Sequence, residues 1–120
     1  MREIASHKVN GLSEVLRIDV LDEPGSGNAC HKYRITPTVG DAFGVLIEFQ
    51  NGPLKENPPN GLSNEALLSV VEDRLTGFQG GEFACRENAL ALTKIQEAMM
   101  WLQKRTRDRV ARGVEGTLVK

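Results

Sequence analysis

The stretch that most constrains this chain runs from Cys85 to Arg112, CRENALALTKIQEAMMWLQKRTRDRVAR. It is the longest uninterrupted helical pattern in the sequence. Leu92, Ile95, Met99 and Leu102 recur at 3–4–3 spacing, which stacks them on one face of a helix. Ala98-Met99-Met100-Trp101-Leu102 breaks that pattern, because five consecutive apolar residues cover the whole circumference. A helix that is apolar all round is buried from more than one side. In so short a chain, a second subunit is the simplest source of that second side. Past Leu102 the character changes to Gln103-Lys104-Arg105-Thr106-Arg107-Asp108-Arg109, with Arg112 beyond. One helix therefore joins a two-sided apolar contact to a cationic end.

The remainder is compatible with one domain over residues 1–120. Its 15 basic and 16 acidic residues nearly cancel, so no global field points to nucleic acid or a membrane. The bias is local, with five of the basic residues between Lys104 and Arg112. Cys30 and Cys85 are too few for a disulfide framework, and a reduced cytosolic setting is the simpler reading. The opening MREIASHKVNGL has no apolar core of the signal-peptide kind. No run approaches the ~20 apolar residues of a membrane-spanning helix.

Residues 1–13 read as a poorly ordered arm or irregular lead-in. Residues 14–50 form the β part. Leu16, Ile18 and Val20 alternate with Arg17 and Asp19, and His31, Tyr33 and Ile35 alternate with Lys32 and Arg34. Turn chemistry from Glu23 to Asn28 joins these runs into an antiparallel hairpin. Phe43, Val45, Ile47 and Phe49 share one face of a third strand. Leu54 to Gly61 is a long, proline-stiffened loop, a kind of segment often functional in a compact domain. A first helix over 63–77 is capped by Ser63, with Glu65 complementing its dipole, and Gly77 is placed to stop it. Leu67, Val70, Val71 and Leu75 form its buried stripe. The long helix occupies 85–110, and 111–120 is an aperiodic tail. About three antiparallel strands followed by two helices make an α+β fold.

Basic residues at a helix C-terminus commonly do no more than offset the dipole and solvate the surface. Arg105 and Arg109, four apart, also suit a phosphate clamp, because their planar forks rise from one face. Phe78 is either a loop phenylalanine tucked into the core or a platform for a base, which needs an open aromatic face. Asn88 is either a polar first-turn residue or a reader of a base edge or ribose hydroxyl. His7 and His31 lack ligand spacing with the cysteines, so no metal site is expected. Gly77, Gly80 and Gly81 match no dinucleotide fingerprint, and there is no phosphate-cradling loop with its lysine. No nucleophile–base pair stands out either. The expectation is a binding protein without a cofactor, and not an enzyme.

From Gly52 to Thr117 the chain resembles the Thoeris anti-defence sponge proteins of phages. The motifs that carry this resemblance begin with Gly52-Pro53-Leu54-Lys55-Glu56, then Asn60-Gly61 ahead of Asn64-Glu65, and Arg74-Leu75 with Phe78-Gln79. They continue with Cys85-Arg86-Glu87-Asn88-Ala89, Met100-Trp101-Leu102, Lys104-Arg105-Thr106, Asp108-Arg109 and Gly113-Val114-Glu115-Gly116-Thr117. Residues 1–50 share only general β character with that family, and Asn57-Pro58-Pro59 departs from it. The resemblance implies an α+β subunit in the cytoplasm of an infected bacterial host, assembled at least as a dimer and in some members as a hexamer. It implies tight binding of glycocyclic ADP-ribose without cleavage, and in some members binding of CBASS cyclic oligonucleotides. It further implies that Phe78, Asn88, Arg105 and Arg109 hold the ligand, with Arg86, Lys55 and Asn60 as secondary contacts.

Asn88 and Arg105 are 17 residues apart on one helix, or about 25 Å at 1.5 Å per residue. If both touch one small ligand, they come from different chains with antiparallel long helices. The main rival is a nucleic-acid-binding accessory protein using the stripe from Lys104 to Arg112, whose affinity would fall steeply with salt. A pure assembly module and a cyclic-nucleotide hydrolase are the others.

Overall fold

A computed structural model describes residues 1–40 and 44–120, which form two compact units, Met1–Leu62 and Ser63–Lys120. The first is a four-stranded antiparallel sheet of β1 (Arg2–Ile4), β2 (Leu16–Val20), β3 (Lys32–Pro37) and β4 (Val45–Glu48), in that order. The second is a helical hairpin of α2 (Asn64–Gln79) and α3 (Arg86–Ala111), while a single turn, α1 (Gly11–Glu14), precedes β2. The α+β expectation is borne out, with one strand more than the periodicity showed.

That extra strand corrects the reading of residues 1–13. β1 is three residues long, too short for alternation to register, and its pairing with β2 (Glu3 opposite Asp19) creates it. Behind it, Asn10 and Ser13 cap α1 reciprocally. The Ser13 N–H donates to Asn10 Oδ1 at 2.9 Å, and the Asn10 N–H donates to Ser13 Oγ at 2.8 Å. His7 donates from Nε2 to the Leu16 carbonyl at 2.6 Å, tying the lead-in to β2.

The β2–β3 hairpin is present in the expected alternation, with Ile18 opposite Ile35 and Val20 opposite Tyr33. Val20 is the one fully buried apolar side chain among the described residues. Tyr33 meets Phe49 edge-to-face at 5.7 Å, a favoured aromatic geometry. Asp19, on the other face, is buried as well, because Arg17 hydrogen-bonds it at 2.9 Å and Arg34 stands 3.8 Å away. Of the face expected on the third strand, Ile47 and Phe49 are half-buried, Val45 is exposed, and Phe43 lies outside the described residues.

In the helical unit, Leu92, Ile95, Met99 and Leu102 are all half-buried, as their spacing requires. On α2, Leu67, Leu68 and Leu75 are half-buried, but Val70 and Val71 are exposed, so the inner stripe is narrower than expected. The helix also runs past Gly77 to Gln79. A helical glycine costs about 1 kcal/mol relative to alanine but does not by itself end a helix. The end comes where the Gly80 N–H turns back to the carbonyls of Thr76 and Gly77, each at 3.1 Å. Gln79 then clasps the connector, its Oε1 accepting from the Cys85 N–H at 3.0 Å and its Nε2 donating to the Cys85 carbonyl at 3.2 Å. Cys85 in turn caps α3, its Sγ accepting from the Asn88 N–H at 3.4 Å.

Candidate functional site: a cationic cleft on the long helix

The C-terminal half of α3 forms one wall of an open cleft of about 340 Å³. Trp101, Arg105, Asp108 and Arg112 recur at 4–3–4 spacing, which keeps them on one helical stripe. Lys104 and Arg109 flank that stripe, and Lys120 reaches the cleft from the tail. Five cations thus line the cleft with one carboxylate, Asp108, and a second, Glu115, lies against Arg109. Lys104 is paired with Asp108 at 2.6 Å, and Arg109 with Glu115 at 3.2 Å. Arg105, Arg112 and Lys120 have no ion-pair partner among the described residues. The cleft therefore presents three unneutralised cations beside an indole that is 59% exposed, a chemistry suited to an anion with an aromatic or apolar portion.

Arg109 behaves differently from its neighbours. It is 7% exposed, the only buried residue of the unit Ser63–Lys120. Its Nη2 donates to the carbonyls of Val114 (2.9 Å) and Thr117 (3.0 Å), and its Nη1 to that of Val119. Gly113 and Gly116, at φ +73° and +80°, supply the left-handed turns that wrap the tail around this guanidinium. The tail expected to be aperiodic is thus an ordered loop built on one side chain.

The other sequence-predicted residues are spread over both units. Phe78, in the last turn of α2, is 40% exposed, and the Arg74 guanidinium lies 5.6 Å from its ring centroid, a cation–π contact covering one face. Arg86 and Asn88 occupy the first turn of α3, Arg86 exposed and Asn88 half-buried. Arg105 and Arg109 sit at the opposite end of that helix, so one chain does not gather these five residues at a single point. Lys55 and Asn60 belong to the unit Met1–Leu62. Lys55 is exposed, whereas Asn60 spends its carboxamide on the backbone of Asn51.

Trp101 and Lys120 join the site only in the structure, and Lys104 and Arg112, which the sequence offered only as the ends of a nucleic-acid-binding stripe, join it beside Arg105. The 4–3–4 recurrence was the available signal for Trp101 and Arg112. Lys120 gave none, because only the fold of the tail brings it to α3. A wider depression of about 660 Å³ on the polar face of the sheet also carries two arginines, Arg17 and Arg34. Both are committed to the buried Asp19, so the cleft on α3 is the better anion site despite its smaller volume.

Residues 44–107 match the family model described as Acb2/Tad1, hairpin domain. A curated relative, "Thoeris anti-defense 1" of Bacillus phage SBSphiJ7, is 55% identical over 82 residues, covering 67% of this chain and 58% of its own length. The chain thus spans less than two-thirds of that relative. The family match overlaps the segment whose motifs carried the resemblance, and it covers α2 and α3 as far as Arg107. This chain belongs to the Acb2/Tad1 hairpin-domain family.

Proposed function

We propose that this chain is a phage anti-defence protein that sequesters a cyclic ADP-ribose-type immune messenger, glycocyclic ADP-ribose of Thoeris, without cleaving it. The observation that carries this reading is the cleft on α3, where unpaired cations stand beside an exposed indole on a family-matched hairpin. In it Arg105, supported by Arg112 and Lys120, neutralises the pyrophosphate with charge-assisted hydrogen bonds. Phe78 supplies a stacking face and Asn88 reads a polar edge, with Arg86 as an outer contact. Binding by mass action keeps free messenger below the threshold of the immune effector. Cyclic oligonucleotides of CBASS are a second ligand class for a higher assembly.

The separation of Asn88 from Arg105, about 25 Å along α3 at 1.5 Å per residue, favours a site completed by a second copy. So does the hairpin itself. None of its apolar side chains is fully buried, and Met100 and Trp101 are 52% and 59% exposed. A two-helix unit of this kind gains its stability from packing against further apolar surface. Homodimerisation through this face gives the messenger contacts from both chains.

Calorimetric titration of the purified chain with glycocyclic ADP-ribose, followed by heat release and chromatography of the bound fraction, tests this directly. Tight binding with intact ligand recovered is the expected result. A linear product would make the protein a hydrolase, and no binding would leave shared architecture only. A steep loss of affinity for mixed-sequence DNA with salt would favour the nucleic-acid reading. Trp101→Asp is expected to give a monomer with weakened binding. A folded monomer of full affinity would overturn the shared site.

A further inference from the structure

We infer that Arg109 is a positioning residue, whose guanidinium folds residues 113–120 back along α3 so that Lys120 completes the cationic cleft. This rests on the sequestration reading above but concerns a different link, the origin of the cleft's shape. A guanidinium carries its N–H donors in one rigid plane. Here that plane serves four acceptors, all from the following segment: the Glu115 carboxylate and the carbonyls of Val114, Thr117 and Val119. Donors so engaged on a residue 7% exposed are not available to a phosphate unless the tail unwraps.

The tail has little else to hold it. Leu118 and Val119 are 70% and 53% exposed, and Val114 is only half-buried, so apolar burial fixes little of it. The remaining ties are local: the N–H groups of Gly113 and Val114 reach the Val110 and Arg109 carbonyls, each at 3.0 Å, that of Thr117 the Val114 carbonyl at 3.1 Å, and that of Val119 the Thr117 Oγ at 3.3 Å. The Thr117 hydroxyl also donates to Val114 O. Val114 O and Thr117 O converge on the same Nη2, which makes Arg109 the hub of the loop. Arg105, one turn earlier, is exposed and has no side-chain partner among the described residues. The two arginines that look equivalent in sequence thus divide the work. Arg105 faces the anion, and Arg109 holds the segment that brings Lys120 beside it.

Lysine cannot reproduce this cage, because an ammonium is a point charge without the planar fork. The test uses the wild-type chain, Arg109→Lys, Lys120→Gln and the double variant. Amide hydrogen exchange reads the tail, and calorimetric titration with inorganic pyrophosphate reads the cleft. Arg109→Lys should speed exchange at Val114 and Thr117 by about tenfold or more, since their protection comes from local opening, and leave the centre of α3 unchanged. Lys120→Gln should keep the tail protected and weaken pyrophosphate by up to about fivefold, the scale of an exposed ion pair. The double variant should bind no more weakly than Arg109→Lys alone, because both changes remove the same contact.

Additive losses in the double variant would overturn the inference by making Arg109 a direct contact. Unchanged tail exchange in Arg109→Lys, or no pyrophosphate binding by the wild type, would overturn it equally. Failure of the messenger to bind would sink the sequestration reading alone, because exchange and pyrophosphate still decide the role of Arg109.

Discussion

Asn60 closes a two-bond ring with the backbone of Asn51: its Oδ1 accepts from the Asn51 N–H at 2.8 Å, and its Nδ2 donates to the Asn51 carbonyl at 2.9 Å. A side chain here does what a neighbouring strand would do, satisfying both backbone groups of one residue. The Asn60 N–H adds a third tie, to Gln50 Oε1 at 2.8 Å. A residue that sequence resemblance nominates for ligand contact is therefore also the clasp of the long loop. Asn60→Ala should lower the stability of the sheet unit by about 1–2 kcal/mol, the loss of two modest hydrogen bonds. Lys55→Ala, on the same loop, should leave it unchanged. Urea unfolding followed by circular dichroism separates the two, and equal midpoints for both variants would contradict the clasp.

Gly61, beside that clasp, has no room for a side chain. A Cβ there would collide with the main chain of Phe49 and Gln50, where Leu62 pairs with both flanks of the strand end. Backbone cannot swing aside as a flexible side chain can. Gly61→Ala should therefore destabilise by about 1–3 kcal/mol, the usual range for overpacking. Gly11→Ala meets open space and serves as the control.

Arg105→Ala separates binding from folding. The side chain is exposed and makes no tie among the described residues, so the unfolding free energy should change by less than about 0.5 kcal/mol. Messenger affinity should fall at least about tenfold, as expected for a lost hydrogen bond to a charged group. Titration beside thermal unfolding checks both, and an unchanged affinity would remove Arg105 from the site.

Asp22 gives the sheet unit a pH dependence of definite sign. Its carboxylate accepts from the His31 N–H at 2.9 Å and the Lys32 N–H at 3.1 Å, and these bonds, His31 first, hold its pKa below the ordinary 3.8. A depressed folded-state pKa contributes stability that is fully present above the unfolded value and is lost as pH falls through the folded one. Asp22→Asn should therefore be less stable than wild type at neutral pH and converge with it under strong acid. A constant gap between the two across the acid range would argue against this linkage.

Cys85 caps α3 with sulfur, a weak acceptor at 3.4 Å from the Asn88 N–H. Cys85→Ser should raise stability by about 0.5–1 kcal/mol, because a hydroxyl is the stronger N-cap acceptor. A lower melting temperature would show that the thiol is held there for packing rather than for the cap.

Periodicity by itself determined the β2–β3 pairing and the inner stripe of the long helix, Leu92, Ile95, Met99 and Leu102. Both follow from a local repeat, 2 for a strand and 3.6 for a helix, that sorts apolar from polar side chains before any tertiary contact forms. The cationic end of α3 was equally legible, because its five cations fall within nine residues of one another, from Lys104 to Arg112. Tertiary structure alone decided what the polar side chains do. Arg105 and Arg109 share a residue type, a helix face and a spacing, yet one is exposed and the other is enclosed by carbonyls from a segment up to ten residues away. Asn60 reads as a loop residue until Asn51 comes to lie beside it, and β1 is a strand only because β2 offers it an edge. A polar group's role depends on which partners the folded chain brings within hydrogen-bond reach, and no repeat along the sequence encodes those partners.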